Sequence, residues 1–102
     1  MTMVTVKIGL KRLGSDLCKA RKRRRIKEEL MAERIGVTRA TLRRMEQGLP
    51  TVSMETYAAA VYCLSPERFK AFISILSSEN DELGQTILDL NLPKRIRGGS
   101  KI

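Results

Sequence analysis

The chain has 102 residues, with 20 Lys+Arg, 11 Asp+Glu and no histidine, for a net charge of +9. That length supports one small domain with a modest core. Two cysteines without histidine argue against a zinc site, no apolar run nears the roughly 20 residues that span a bilayer, and no phosphate loop or nucleophile elbow marks an enzyme.

Residues 1–8, MTMVTVKI, alternate Val4, Val6 and Ile8 with Thr5 and Lys7, which predicts a short strand-like arm. A lone strand is not stable, so the arm is either a frayed terminus or pairs with a second copy or another protein. Residues 9–25 read as the first helix, with Leu10, Leu13, Leu17 and Ala20 on one face and Arg21 at its edge. Asp16, after Gly14 and Ser15, suggests that regular helix starts near Ser15. The segment ends in Lys22-Arg23-Arg24-Arg25. A solvated run of this kind suits a helix C-terminus. Yet half of all Lys+Arg lie between Lys7 and Lys27, with Asp16 the one acid there, so Arg24 and Arg25 are candidate phosphate contacts.

The central stretch is IKEELMAERIGVTRATLRRMEQG, residues 26–48. It reads as a helix over 27–35, a tight turn at Gly36-Val37 and a second helix over 38–47. Glu28 and Glu29 occupy the first turn, where negative charge is favoured. Gly36 supplies a left-handed stop, and Thr38 is placed to cap the next helix. That helix carries Arg39, Arg43 and Arg44 with no acid before Glu46. A cationic helix after a short turn is the helix-turn-helix arrangement for the DNA major groove. Leu17, Ala20, Ile26, Met31, Ala32, Ile35, Val37, Leu42 and Met45 are the expected core.

Gly48, Leu49 and Pro50 stop the second helix. A helix over 53–64 follows, capped by Ser53, with Met54, Tyr57, Val61 and Leu64 as its apolar stripe. Tyr57 and Tyr62 read as core-edge residues with wet hydroxyls. Ser65-Pro66-Glu67 starts a helix over 66–77 that is expected to bury Phe69, Phe72, Ile73 and Leu76. Residues 81–90 suggest a short helix interrupted by Gly84, and LPKRIRGGSKI closes the chain as a basic tail. The expected layout is an arm over 1–8, a DNA-binding domain over 9–77 and an extension over 78–102.

From Leu13 to Leu64 the sequence resembles the Xre-type, lambda-repressor-like helix-turn-helix family. The residues that carry the resemblance are Arg21, Ile26-Lys27-Glu28-Glu29, Met31-Ala32-Glu33-Arg34-Ile35-Gly36-Val37-Thr38 and Met45-Glu46-Gln47-Gly48. The resemblance implies an all-α fold: a compact five-helix domain, here with the short N-terminal strand-like segment and an extra C-terminal helix. It implies a homodimer on a palindromic operator in double-stranded DNA. Residue by residue, it turns Arg39, Ala40 and Arg44 to the groove with Arg43 beside them. Thr38 and Thr41 become candidate phosphate or base contacts, and Arg21 and Glu46 an ion pair that orients the second helix. Arginine suits guanine O6 and N7, and Ala40 a thymine methyl. The family usually has Ser, Thr or Asn at Lys27 and Gln at Glu28, so the phosphate contact there passes to Lys27.

After Gly48 the stretch LPTVSMETYAAAVYCL and the closing LPKRIR are similar to HipB-like antitoxins. That similarity implies a second partner, a HipA-type serine/threonine kinase toxin, and autoregulation of a shared operon. A stand-alone phage-type repressor and a protein-interaction inhibitor without specific DNA binding are the alternatives. No cofactor, metal, catalytic residue or membrane association is expected. A cytoplasmic, nucleoid-associated location suits Cys18 and Cys63 as buried reduced thiols, and the first ten residues lack the apolar run of a signal peptide.

Overall fold

The structure, a computed structural model, describes residues 3–77 and 80–91, the last four by backbone alone. It is mostly helical, with no strand among the described residues. The helices are α1 (Val4–Arg23), α2 (Glu28–Ile35), α3 (Arg39–Glu46), α4 (Met54–Leu64), α5 (Pro66–Ile73) and α6 (Glu82–Asn91). The chain divides into two compact units, Met1–Lys70 and Ala71–Ile102. The first holds four complete helices and most of the fifth, rather than five complete ones. The basic tail over 94–102 lies outside the described residues.

The expected N-terminal strand is the main correction. Val4, Val6 and Ile8 belong to α1, which runs for 20 residues and includes Gly14 and Ser15 without a break. A strand must find a partner for its backbone groups, whereas a helix satisfies them within itself. The alternating side chains stay outside: Val4, Val6 and Ile8 are all exposed. The start of α1 is weakly held, because Met3 offers no side-chain cap and the first turn has no acid.

Gly14 explains why α1 tolerates glycine. A Cβ there would lie 2.6 Å from the Gly48 nitrogen and the Met45 oxygen and 2.9 Å from the Glu46 oxygen. A Cβ on Gly48 would in turn collide with the Leu10 carbonyl and the Lys11 Cα, and its φ of +72° is left-handed. The two glycines bring the backbone of α1 against the end of α3.

Residues α1 and α2 bury meet α3 and α4 in a small core of Leu17, Met31, Ala32, Leu42, Met45, Tyr57 and Ala60. Met31, Leu42 and Met45 are fully enclosed. Ile26, Ile35 and Val37 are only partly buried against this cluster, and Ala20 is half-buried. The α4 stripe packs on the core at Tyr57, Val61 and Leu64 but not at Met54, which is 72% exposed, while Ala60 is buried beside the stripe. The Tyr57 hydroxyl is not wet: it donates to the Leu49 carbonyl at 2.8 Å, and burial raises the phenol pKa. Tyr62 is exposed and meets the Phe69 ring edge-on, with centroids 5.3 Å apart.

The last expected helix of the domain is shorter and more exposed than its spacing predicts. α5 stops at Ile73 and buries no residue. Ile73 and Leu76 are exposed, and Phe69 and Phe72 are half-buried. The Asn80 amide donates to the Ser74 carbonyl at 2.8 Å, which favours a turn over further helix. Beyond it, Asp81 accepts from the Gly84 N–H at 3.0 Å, and α6 continues through Gly84. Cys18 and Cys63 are free and half-buried rather than enclosed.

Gly14→Ala should destabilise the chain by about 1–3 kcal/mol, since only backbone surrounds the added methyl. Gly9→Ala, with nothing within 4 Å of the new Cβ, should stabilise it by about 0.5–1 kcal/mol through helix propensity. Urea unfolding of both variants checks this, and equal shifts would refute the close approach.

Candidate nucleic-acid interface

The turn between α2 and α3 is three residues long, Gly36-Val37-Thr38. Gly36 ends α2 with a φ of +76°, and the Val37 N–H reaches back to the Ala32 carbonyl at 2.9 Å. Thr38 caps α3: its Oγ1 accepts from the Thr41 N–H at 3.1 Å, and its hydroxyl donates to Thr41 Oγ1 at 3.1 Å. Both threonine hydroxyls are therefore engaged in starting the helix.

The far end of α3 is fixed by Arg21. This residue is buried, although it is charged. Its Nε donates to Glu46 Oε2 at 2.7 Å and its Nη2 to Glu46 Oε1 at 3.2 Å. Its Nη1 donates to the Ile26 carbonyl at 2.7 Å, and Nη2 also faces Cys18 Sγ at 3.8 Å. One guanidinium thus joins α1, the α1–α2 loop and α3. The Glu46 hydrogen bond raises the Arg21 pKa against the opposing effect of burial. The charge of Arg21 therefore persists beyond the already strongly alkaline range in which a free guanidinium titrates, and the pair is lost only at still higher pH.

Between those anchors, Arg39, Ala40, Arg43 and Arg44 are all exposed, and Thr41 is half-buried. Arg39 and Arg43 lie one turn apart and share a face, with Ala40 and Arg44 on the next. The first face is held by α2. Arg39 Nη2 donates to Glu28 Oε1 at 3.3 Å, and Arg43 donates from Nε at 3.3 Å and Nη2 at 3.1 Å to the same oxygen. Glu29 lies 3.9 Å from Arg39. The Arg43 hydrogen bond, then that of Arg39, lowers the Glu28 pKa. This attraction is intact above the ordinary carboxylate value of 4.5 and fades as pH falls through the lowered one. Arg44 makes no side-chain hydrogen bond or ion pair among the described residues.

The remaining candidates are exposed but separate from α3. Arg24 turns back, donating from Nη1 to the Ala20 carbonyl at 3.0 Å. Arg25 has a φ of +56°, the one non-glycine residue with positive φ among those described. Its N–H bonds the Lys22 carbonyl at 2.9 Å and the Ile26 N–H bonds the Arg21 carbonyl at 3.2 Å, so Arg25 fills the glycine position of a Schellman stop. Lys27 precedes α2 without a side-chain cap. The sequence places Glu28 in the first turn of α2 and marks it as a departure from the pattern it resembles, but not as a partner of Arg39 and Arg43. Its place in the first turn of α2, ahead of a short turn and two arginines spaced by four, was the signal for the bridge.

Residues 19–60 match the family model described as Helix-turn-helix. They form a helix-turn-helix domain. The match spans the end of α1, all of α2 and α3, and the part of α4 that carries Tyr57 and Ala60. No curated protein and no solved structure matches the chain. A helix-turn-helix domain of this family points to a DNA-binding transcription regulator. No helix among the described residues is long and apolar enough to cross a membrane.

Arg21→Ala should destabilise the helix-turn-helix domain by about 3–5 kcal/mol, because it leaves the Glu46 carboxylate buried and unpaired. Thermal or urea unfolding reads this, and a loss under about 1 kcal/mol would place the pair among weak surface bridges. Arg25→Gly should stabilise the domain by about 1 kcal/mol by relieving the left-handed backbone. An unchanged or lower stability would refute that strain.

Proposed function

We propose that the protein is a sequence-specific DNA-binding repressor, acting as a homodimer on a palindromic operator. The observation that carries this reading is α3. It presents Arg39, Ala40, Arg43 and Arg44 to solvent immediately after the turn, while Thr38 fixes its start and Arg21–Glu46 its end. Side chains on such a helix read base edges, and arginine is suited to guanine. Arg24, Arg25 and Lys27 supply exposed charge for phosphates on the preceding segment. The concentration of charge in residues 1–47, with 14 basic and 5 acidic residues, supports the same partner.

The finer reading is a HipB-like antitoxin that binds a HipA-type serine/threonine kinase toxin and represses the operon encoding both. It is supported by the resemblance of LPTVSMETYAAAVYCL, which covers the approach to α4 and α4 itself. Footprinting on the protein's own promoter, with affinity capture from the native host, tests both levels. A protected palindrome and a recovered kinase are expected. A palindrome without a kinase would leave a stand-alone repressor, and no protection at all would remove the repressor.

Arg39→Ala should weaken operator binding by about 1–3 kcal/mol and relax the preference at one base pair. Arg25→Ala should weaken operator and random duplexes alike and flatten the salt dependence by about one phosphate contact. Binding titrations on a panel of single-base operator variants separate the two behaviours. Unchanged affinity and preference in Arg39→Ala would remove that residue from the interface.

A further inference from the structure

Glu28 holds two of the arginines that the proposed function assigns to DNA. Arg39 and Arg43 are exposed, with half or more of each side chain open to solvent, yet both guanidinium groups donate to one carboxylate oxygen. Carboxylates and phosphodiesters offer arginine the same pair of oxygens at similar geometry. An incoming DNA backbone meets donors already occupied, and it meets the negative charge of Glu28 as well. Arg44, on the neighbouring face, has no such partner among the described residues.

We propose that Glu28 is a built-in competitor for phosphate that restrains nonspecific DNA binding by Arg39 and Arg43 and thereby raises sequence specificity. This inference rests on the DNA-binding reading given above. Nonspecific affinity comes from cations that displace counterions along the backbone. An arginine engaged by Glu28 contributes little to that sum. A cognate base edge returns two hydrogen bonds in fixed geometry, enough to draw the side chain away from the carboxylate. A random duplex returns a mobile, salt-screened contact. The carboxylate therefore subtracts more from random DNA than from the operator. Specificity then comes partly from what disfavours the wrong partner.

The test uses the full chain and two duplexes, the promoter segment that footprinting protects and a scrambled version of it. Binding is titrated across about 50–300 mM salt, where the electrostatic slope is readable. Glu28→Gln should bind the scrambled duplex about tenfold more tightly, with a log–log salt slope steeper by about one to two. The ratio of promoter to scrambled affinity should fall about threefold or more, the share of the gain that the cognate site does not receive. Glu28→Asp keeps the charge but shortens the reach, and should move scrambled binding the same way by about half as much on the logarithmic scale. Glu33→Gln removes an exposed acid of α2 that pairs with no α3 arginine among the described residues, and should change scrambled binding less than about twofold.

Equal gains in Glu28→Gln and Glu33→Gln would overturn the proposal by reducing it to bulk charge. Scrambled binding and slope unchanged in Glu28→Gln would overturn it too, as would weaker scrambled binding. A wild-type chain that does not distinguish the two duplexes would instead defeat the repressor reading, and the scrambled-duplex titrations would still decide whether Glu28 restrains binding.

Discussion

The buried guanidinium of Arg21 is the constraint on which the rest of the domain depends. It is charged, nearly enclosed and hydrogen-bonded on three sides, to Glu46, to the Ile26 carbonyl and to Cys18. Such a group is stable inside only while each partner stays in place. Its demands therefore fix the distance of α1 from α3 and the path of the loop that leads into α2. Gly14 and Gly48 make that distance attainable, because no side chain intervenes where the two backbones meet. Leu17, Leu42 and Met45 fill the space beside the pair, but apolar packing alone would accept several rotations of α3 about its axis. The bidentate pair selects one, and that selection turns Arg39, Arg43 and Arg44 outward together.

What was legible in the sequence was what is encoded locally. Gly36, Thr38 and Gly48 each perform a backbone task within a few residues, and the three together delimit α3. Glu46 and Arg21 were legible only through resemblance, since nothing local says that residues 25 apart in sequence will meet. The N-terminal strand was a misreading of the opposite kind. Alternation of Val4, Val6 and Ile8 describes a strand only if a partner strand exists, and the helix-favouring Leu10-Lys11-Arg12-Leu13 just downstream lets the helix extend upstream. The face of α4 was legible in its spacing at Tyr57, Val61 and Leu64, and only Met54 at its start departs from it. The hydrogen bond from Tyr57 to the Leu49 carbonyl that holds this face is not encoded locally. In α5 the expected stripe is present, but helical spacing of apolar residues records an amphipathic face without saying what, if anything, covers it.

Charge in this chain is arranged by position more than by amount. Residues 1–47 include five acids, and the two with the closest arginine partners, Glu28 and Glu46, stand at opposite ends of the helix-turn-helix. They differ in environment and so in consequence. Glu46 is shielded from water and its pair is structural. Glu28 stands at the surface, where water and salt weaken any single bridge. A pair that is weak enough to open is a poor brace for the fold, but it can exchange one partner for another.

Three exposed basic residues stand where local stability favours something else. Arg25 occupies a left-handed position that glycine fits without strain. Lys27 occupies the N-cap of α2, where Ser, Thr, Asp or Asn would bond the free N–H groups. Arg39 occupies the first position of α3, at the positive end of its dipole. Each choice costs some stability, and each places a cation on the surface that leads into and along α3. A sequence shaped by folding alone has no reason to repeat the same exception three times within 15 residues. The small core and the Arg21 pair supply enough rigidity to absorb those costs, so the exceptions are best understood together, as the charge that a polyanionic partner requires.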